Sequence, residues 1–217
     1  SDYSSFIQHV GIPSLNLAFG GEDEGGEYHS IYDSYSFYEK FKDPGFQYCV
    51  TLAETAGHAV LRMADADGLP FDFTHLFKTI DGYSKELITL LDTYRETTEI
   101  ENQIINSRGY IVGEDPTKGY ILPLVKPEVP YLDFSSLQNA LQQLKNSVDS
   151  LNIFFKNRIN TNTMSLAFNQ SLQKAEQQLL NEAGLPRRAW YKHTLYAPGS
   201  YTGYGVKTMP GIREAIE

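Results

Sequence analysis

The sequence predicts a mostly α-helical chain, and three stretches carry that expectation. Phe134, Leu137, Leu141, Leu144, Val148, Leu151 and Phe155 recur at alternating steps of three and four, an a/d seam sustained for three heptads. After the polar turn Asn160-Thr161-Asn162-Thr163, the residues Phe168, Leu172, Ala175, Leu179 and Ala183 keep helical spacing until Gly184, with Pro186 just beyond. Upstream, Leu76, Phe77, Ile80, Tyr83, Leu87, Leu90, Leu91 and Tyr94 form a third apolar stripe. A short turn between two amphipathic helices makes them antiparallel neighbours, and the third helix completes most of a bundle.

From the N-terminus, a helix is expected around Ser4–His9. It enters a short buried strand at Gly11–Phe19, where Ile12, Leu15, Leu17 and Phe19 supply the apolar run. The following GGEDEGGE, 20–27, has four glycines and four carboxylates, cannot pack a core and reads as a surface loop. A calcium loop is the competing reading of Glu22, Asp23 and Glu24, but these acids are consecutive rather than alternating around a glycine. Phe46, Cys49, Val50, Ala53, Ala56, Val60 and Met63 then mark an amphipathic helix with Cys49 on its apolar side, as a small core residue without an activating basic neighbour. Asp72 or Thr74 is the expected N-cap of the helix over Thr74–Arg95. Ile104–Pro130 holds Gly109, Gly113, Pro116, Gly119, Pro123, Pro127 and Pro130, which exclude a continuous helix. Within it, Tyr110–Val112 and Tyr120–Leu122 could pair as a small hairpin. Ser135 with Gln138 has the capping-box pattern. The tail WYKHTLYAPGSYTGYG is an aromatic, glycine-rich loop or strand, and Pro210 stands near the first position of a terminal helix.

Length and composition narrow the function. The chain has 217 residues, 41% hydrophobic and 21% charged, enough for a substantial core and unlike a disordered tail. Its 18 Lys and Arg against 27 Asp and Glu leave a net charge of −9, so the average field repels phosphate backbones and no nucleic-acid partner is expected. Cys49 is the only cysteine, which excludes an internal disulfide and a thiolate-built zinc site. No run approaches the ~20 apolar residues of a membrane span, and SDYSSF lacks the layout of a signal peptide.

HExxH, GxSxG, P-loop and GxGxxG patterns are absent. Of the five histidines, His9, His58 and His75 lack clustered ligand types, and His193 lies in an aromatic segment that suits packing. His29, in Tyr28-His29-Ser30-Ile31-Tyr32-Asp33, has more informative neighbours. If this segment is helical, His29 and Asp33 are i,i+4 neighbours and the carboxylate can orient the imidazole as the outer partner of a metal ligand does. The alternative is an exposed or capping histidine. One imidazole cannot hold catalytic zinc, which takes about three protein ligands.

GIPSLNLAF, YHSIYDSY, FYEKFKDPGFQY, LPFDF and GLPRRAWYKHTLYAPGSYTGYG followed by MPGI resemble, in that order, the C-terminal part of the glutamate carboxypeptidase II/transferrin receptor family. The likeness spans nearly the whole chain and is weakest at Ile104–Pro130, which looks like an insertion. The resemblance implies the C-terminal edge of an α/β zinc-peptidase domain over 1–70, followed by a truncated helical-bundle dimerisation domain over 71–217. It implies a homodimer, and a type II single-pass membrane parent with this segment on the lumenal, vacuolar or extracellular side. In the active branch two zinc ions share a bridging water that a glutamate activates for attack on a peptide carbonyl.

By motif, His29 matches the last zinc-binding histidine, Tyr28 a residue lining the substrate pocket, and Tyr204 a second pocket tyrosine from the helical domain. Asp33 stays the candidate partner of His29. In the glutamate-preferring carboxypeptidase a lysine precedes that second tyrosine and grips the substrate carboxylate. Gly203 stands there in this chain, so the resemblance does not carry glutamate specificity over.

The remaining zinc ligands and the catalytic glutamate precede SDYSSF in the family, and the family continues past PGI into a last helix. The expectation is therefore a segment of a longer zinc exopeptidase that dimerises, packs on the rest of the peptidase domain, and contributes one zinc ligand and part of the pocket for a peptide substrate. Alone it is expected to be inactive and to hold no zinc. The alternative is the dimerisation segment of a non-catalytic receptor or sorting-adaptor relative. Asn169-Gln170-Ser171 is an N-glycosylation sequon that agrees with the placement the resemblance implies.

Overall fold

The computed structural model describes residues 2–21, 26–113, 115, 117–119, 121, 123–157, 164–203 and 205–217. The calcium reading of Glu22–Glu24, the Tyr120 and Leu122 arm of the hairpin, the turn at Asn160–Thr163 and the side chain of Tyr204 lie outside these residues. The described chain is mostly helical. Helix α1 (Tyr35–Phe37) is a single turn that runs on through Tyr38–Lys42, and α2 (Gln47–Ala64), α3 (Phe73–Asn106), α4 (Ser135–Asn157), α5 (Leu166–Gln173) and α6 (Pro210–Ile216) follow. Two short antiparallel strands, β1 (Tyr196–Pro198) and β2 (Val206–Thr208), pair with Ala197 opposite Lys207. Contacts divide the chain into two units, Ser1–Phe71 with Asn160–Leu180 and Asp72–Ile159 with Asn181–Glu217.

The second unit is built on α3 and α4. Asp72 starts α3 as its N-cap, its carboxylate accepting from the Thr74 N–H at 2.9 Å. Buried Ile80, Ser84, Leu87, Leu91, Thr98 and Ile105 follow one another at heptad spacing, with two small polar residues sharing the seam. On α4 the seven seam residues from Phe134 to Phe155 are all buried or half-buried, with Leu141 and Val148 fully so. The two helices run antiparallel, because Asn152 near the end of α4 donates to the Thr74 hydroxyl at the start of α3, at 3.0 Å. Leu87 has no exposed surface, and burying such a side chain contributes about 1.5–3 kcal/mol.

The start of α4 differs from the capping box. The acceptor is Asp133, which takes the Ser135 N–H at 2.8 Å together with the Ser135 hydroxyl, so the residue read as the cap is instead the one being capped. Before it, the connection from α3 is extended and tied to that helix by side chains. The Asn102 amide donates to Lys126 O at 2.9 Å and accepts from Lys126 N–H at 2.8 Å, imitating a strand partner, and Arg95 donates to Pro130 O at 3.0 Å. Gly109–Ile111 is a tight helical turn, so the first arm of the expected hairpin is not a strand.

In the first unit Asp43, only 2% exposed, caps α2 by accepting from Tyr48 N–H at 3.1 Å and Cys49 N–H at 2.9 Å. Burial pushes its carboxyl up, but these N–H donors outweigh that and leave it below the ordinary aspartate value. Two expectations fail in this unit. Gly11–Phe19 forms no strand, and Leu15 and Phe19 are exposed, because a strand exists only with a partner to bond and none pairs with it among the described residues. Cys49 is exposed rather than core, its thiol 3.1 Å from the Tyr38 hydroxyl, since no described element covers the apolar side of α2.

Helix α5 is shorter than the expected Phe168–Ala183. It ends at Gln173, a tighter turn covers Glu176–Leu179, and Asn181 then bonds its own surroundings, accepting from Ala183 N–H and donating to Gly184 O. Such local bonding by Asn competes with helix continuation. Gly184, at φ +71, must be glycine: a Cβ there would lie 2.4 Å from Ala189 O.

Candidate functional site

The YHSIYD segment is a succession of turns. Ser30 organises it: its N–H and hydroxyl both donate to Glu27 O, at 2.8 and 2.6 Å, and its own oxygens accept from the N–H groups of Tyr32 and Asp33. Glu27 is in turn held by Lys42 at 2.7 Å, and that hydrogen bond keeps its carboxyl below the ordinary glutamate value. His29 sits at φ +61, a left-handed conformation uncommon outside glycine but enriched in His. Its exposed ring stacks on Tyr28, centroids 3.8 Å apart and planes 22° apart.

The structure thus brings Tyr28 and His29 together as one flat, solvent-facing pair. Asp33 lies on the same run of turns, but the helix that would set it one turn from His29 is not formed, and no ion pair joins the two among the described residues. Among the described residues no group of three His, Cys, Asp or Glu converges. Among the described residues the donors fit one zinc ligand position, His29, where a complete site takes about four.

The loop that carries Tyr204 belongs to the second unit and joins β1 to β2. Thr202 braces it, its hydroxyl accepting from Gly199 N–H at 2.8 Å and donating to Gly205 O. The base is anchored by an ion pair: Arg188 meets both oxygens of Glu214, at 3.0 and 2.7 Å, and also donates to Pro198 O at 2.8 Å. Ser200 N–H adds a bond to the same carboxylate at 2.9 Å. Burial pushes the Glu214 carboxyl up, but Ser200 N–H and the Arg188 guanidinium outweigh it and hold it below the usual range. Gly203 lies at φ +58 with open space where a Cβ would be. His193 is fully buried, stacked on Tyr196 at 4.5 Å, and accepts the Leu195 N–H, in keeping with its expected packing role.

The residues that shape these loops, Ser30, Lys42, Thr202, Arg188 and Glu214, carried no sequence signal as site residues. Their partners are distant in the chain or bonded through backbone atoms, neither of which leaves a periodic pattern. The Ser30 turn alone could have been suspected, from the tendency of serine to bond its neighbouring backbone.

Residues 132–217 match the transferrin receptor-like dimerisation domain. "Probable glutamate carboxypeptidase LAMP1" of Arabidopsis thaliana is 31% identical over 217 residues, covering 100% of this chain and 26% of that protein. "Aminopeptidase NAALADL1" of Rattus norvegicus is 28% identical, covering 99% of this chain and 25% of that protein. "Vacuolar protein sorting-associated protein 70" of Saccharomyces cerevisiae is 22% identical, covering 100% and 26%. The chain spans about a quarter of the length of these relatives. Residues 132–217 thus carry a transferrin receptor-like dimerisation domain, and the whole chain is similar to glutamate carboxypeptidase-like proteins.

Proposed function

We propose that this chain is the C-terminal dimerisation segment of a glutamate carboxypeptidase-like zinc exopeptidase, and that it contributes His29 as a zinc ligand and Tyr28 and Tyr204 as part of the substrate pocket. The single observation that supports this best is the exposed Tyr28–His29 stack on a turn with left-handed backbone, which keeps an imidazole available while the chain offers no other converging ligands among the described residues. A zinc centre, when bound, supplies polarisation of the scissile carbonyl and a hydroxide-like water near neutral pH. The chain's own residues present the imidazole, hold it flat against the Tyr28 ring and set the pocket wall. The Arg188–Glu214 pair fixes the base of the loop that carries Tyr204. The segment works as a homodimer, packs on the rest of the peptidase domain, and lies on the lumenal, vacuolar or extracellular side of a type II membrane protein. Two zinc ions act in the full-length protein, with the remaining ligands supplied from outside this segment.

The test uses full-length protein. His29→Ala is expected to lower bound zinc, measured by elemental mass spectrometry, and to reduce peptidase activity by more than the about 10–100-fold typical of losing an outer-shell partner. The dimer should persist in sedimentation. Unchanged zinc content and activity would remove His29 from the site. The isolated chain is expected to show no peptidase activity and no stoichiometric micromolar zinc binding by calorimetry. A second reading, a non-catalytic sorting or receptor relative, draws support from the likeness to the yeast protein named for vacuolar sorting. It predicts a full-length protein without zinc and without activity whether or not His29 is changed.

A further inference from the structure

Asn169-Gln170-Ser171 is the single N-x-S/T sequon in the sequence, and the proposed function makes no use of it. As a tripeptide it reads as a glycan acceptor on a surface loop. Asn169 instead lies in the first turns of α5, half-buried, with both ends of its amide engaged by the backbone of the Asp67–Leu69 turn. Nδ2 donates to Asp67 O at 2.8 Å, and Oδ1 accepts from Leu69 N–H at 3.1 Å. A carbonyl can only accept and an N–H can only donate, so these two partners fix which way the amide points.

One side of the turn between the two bonds is covered. At Gly68 an added Cβ would lie 3.0 Å from Met164 Cγ, so the side chain just ahead of α5 already rests on that turn. The clamp joins residues about a hundred apart in sequence, and it bonds two main-chain groups that would otherwise need other partners. An N-linked glycan replaces one of the two Nδ2 protons with a sugar ring carbon, which sets a bulky ring directly against the clamped turn.

We infer that Asn169 is a clamp that docks α5 on the Asp67–Leu69 turn, and that docking and glycosylation of this sequon exclude each other. The folded protein carries Asn169 unmodified even when it passes through a glycosylating compartment. Neither statement depends on zinc or on peptidase activity.

The experiment expresses the full-length protein through the secretory pathway of a glycosylating host, isolates folded material by size exclusion and reads the Asn169 peptide by mass spectrometry. The expected result is an unmodified peptide. Three variants test the clamp. Ser171→Ala removes the sequon but keeps the amide, and should leave Tm unchanged. Asn169→Gln removes the sequon and displaces the amide, and should lower Tm by several degrees or prevent folding. Asn169→Asp keeps the acceptor for Leu69 N–H but loses the donor to Asp67 O, and should fall between the two. A glycan on most folded molecules would overturn the exclusion, and equal Tm values for Asn169→Gln and Ser171→Ala would overturn the clamp.

Discussion

Helices α2 and α4 have similar apolar spacing and different fates. On α4 every seam position from Phe134 to Phe155 turns inward, while none of the eighteen residues of α2 is buried. Val60 and Met63 stay in solvent although they continue the helical stripe that begins at Phe46. The two helices are also capped alike, each by an aspartate just ahead of it, Asp43 for α2 and Asp133 for α4. The difference lies in the partner. Helix α4 meets α3, whose own heptad of buried residues is complementary, whereas the described residues offer α2 no such surface. An amphipathic period specifies a face and not what covers it.

Core substitutions should separate the two helices most strongly. Leu87→Ala in α3 is expected to cost about 2–5 kcal/mol, while Leu61→Ala in α2, at 66% exposed, should stay within about 0.5 kcal/mol in the same chain. Urea unfolding of both variants measures this, and equal losses would mean that α2 is packed after all.

The next effect concerns the Tyr204 loop. Arg188→Met removes a nearly buried partner of Glu214 and is expected to cost about 1–3 kcal/mol. Glu214 is held below its ordinary value of 4.5 in the folded state, so its contribution is present above that pH and is lost as pH falls through the depressed folded value. Arg188→Met should therefore flatten the acid limb of the stability curve below about pH 4.5, the ordinary glutamate value. An unchanged acid limb would show that Arg188 does not hold this carboxylate.

A smaller contrast lies in two glycines. Gly203→Ala, at φ +58, should cost about 1–2 kcal/mol from backbone strain alone, whereas Gly20→Ala, with open space and no positive φ, should cost nothing. Thermal unfolding of the pair checks it.

The smallest effect is at Tyr38. Its phenol is pushed up to about 12 by the hydrogen bond to the Cys49 thiol, helped by burial. Tyr38→Phe should lose an ionisation near pH 12 in an ultraviolet titration while changing stability by less than about 0.5 kcal/mol. The exposed Cys49 should react with a thiol reagent in the folded chain, and a protected thiol would contradict its exposure.

Much of the second unit was legible in the sequence. The a/d seam located α4, Asp72 was among the two caps proposed for α3, and Pro210 starts α6 as expected. These signals are local or periodic, and a helix needs only its own residues to satisfy its backbone. The continuation of α3 from Arg95 to Asn106 was missed because Thr98 takes a seam position that an apolar residue would have advertised. In the candidate site His29 stood out from its own neighbours and Tyr28 by resemblance, but the ring stack, the left-handed backbone and the Ser30 turn have no counterpart in residue spacing. The helical relation of His29 to Asp33 failed because Ser30 bonds back to Glu27 and turns the chain instead.

By itself the sequence determined the mostly helical class, the seam of α4, the net charge of −9 and, through motif order, the likeness to the glutamate carboxypeptidase II/transferrin receptor family. Among the described residues, tertiary structure alone decided that nothing covers α2, that no partner makes Gly11–Phe19 a strand, that Asp133 rather than Ser135 is the acceptor at the start of α4, and that Asn169 is a clamp. The physical reason is common to all four. Each depends on which group answers a face, a backbone edge or a polar atom, and the partner can lie about a hundred residues away, beyond the reach of any local pattern.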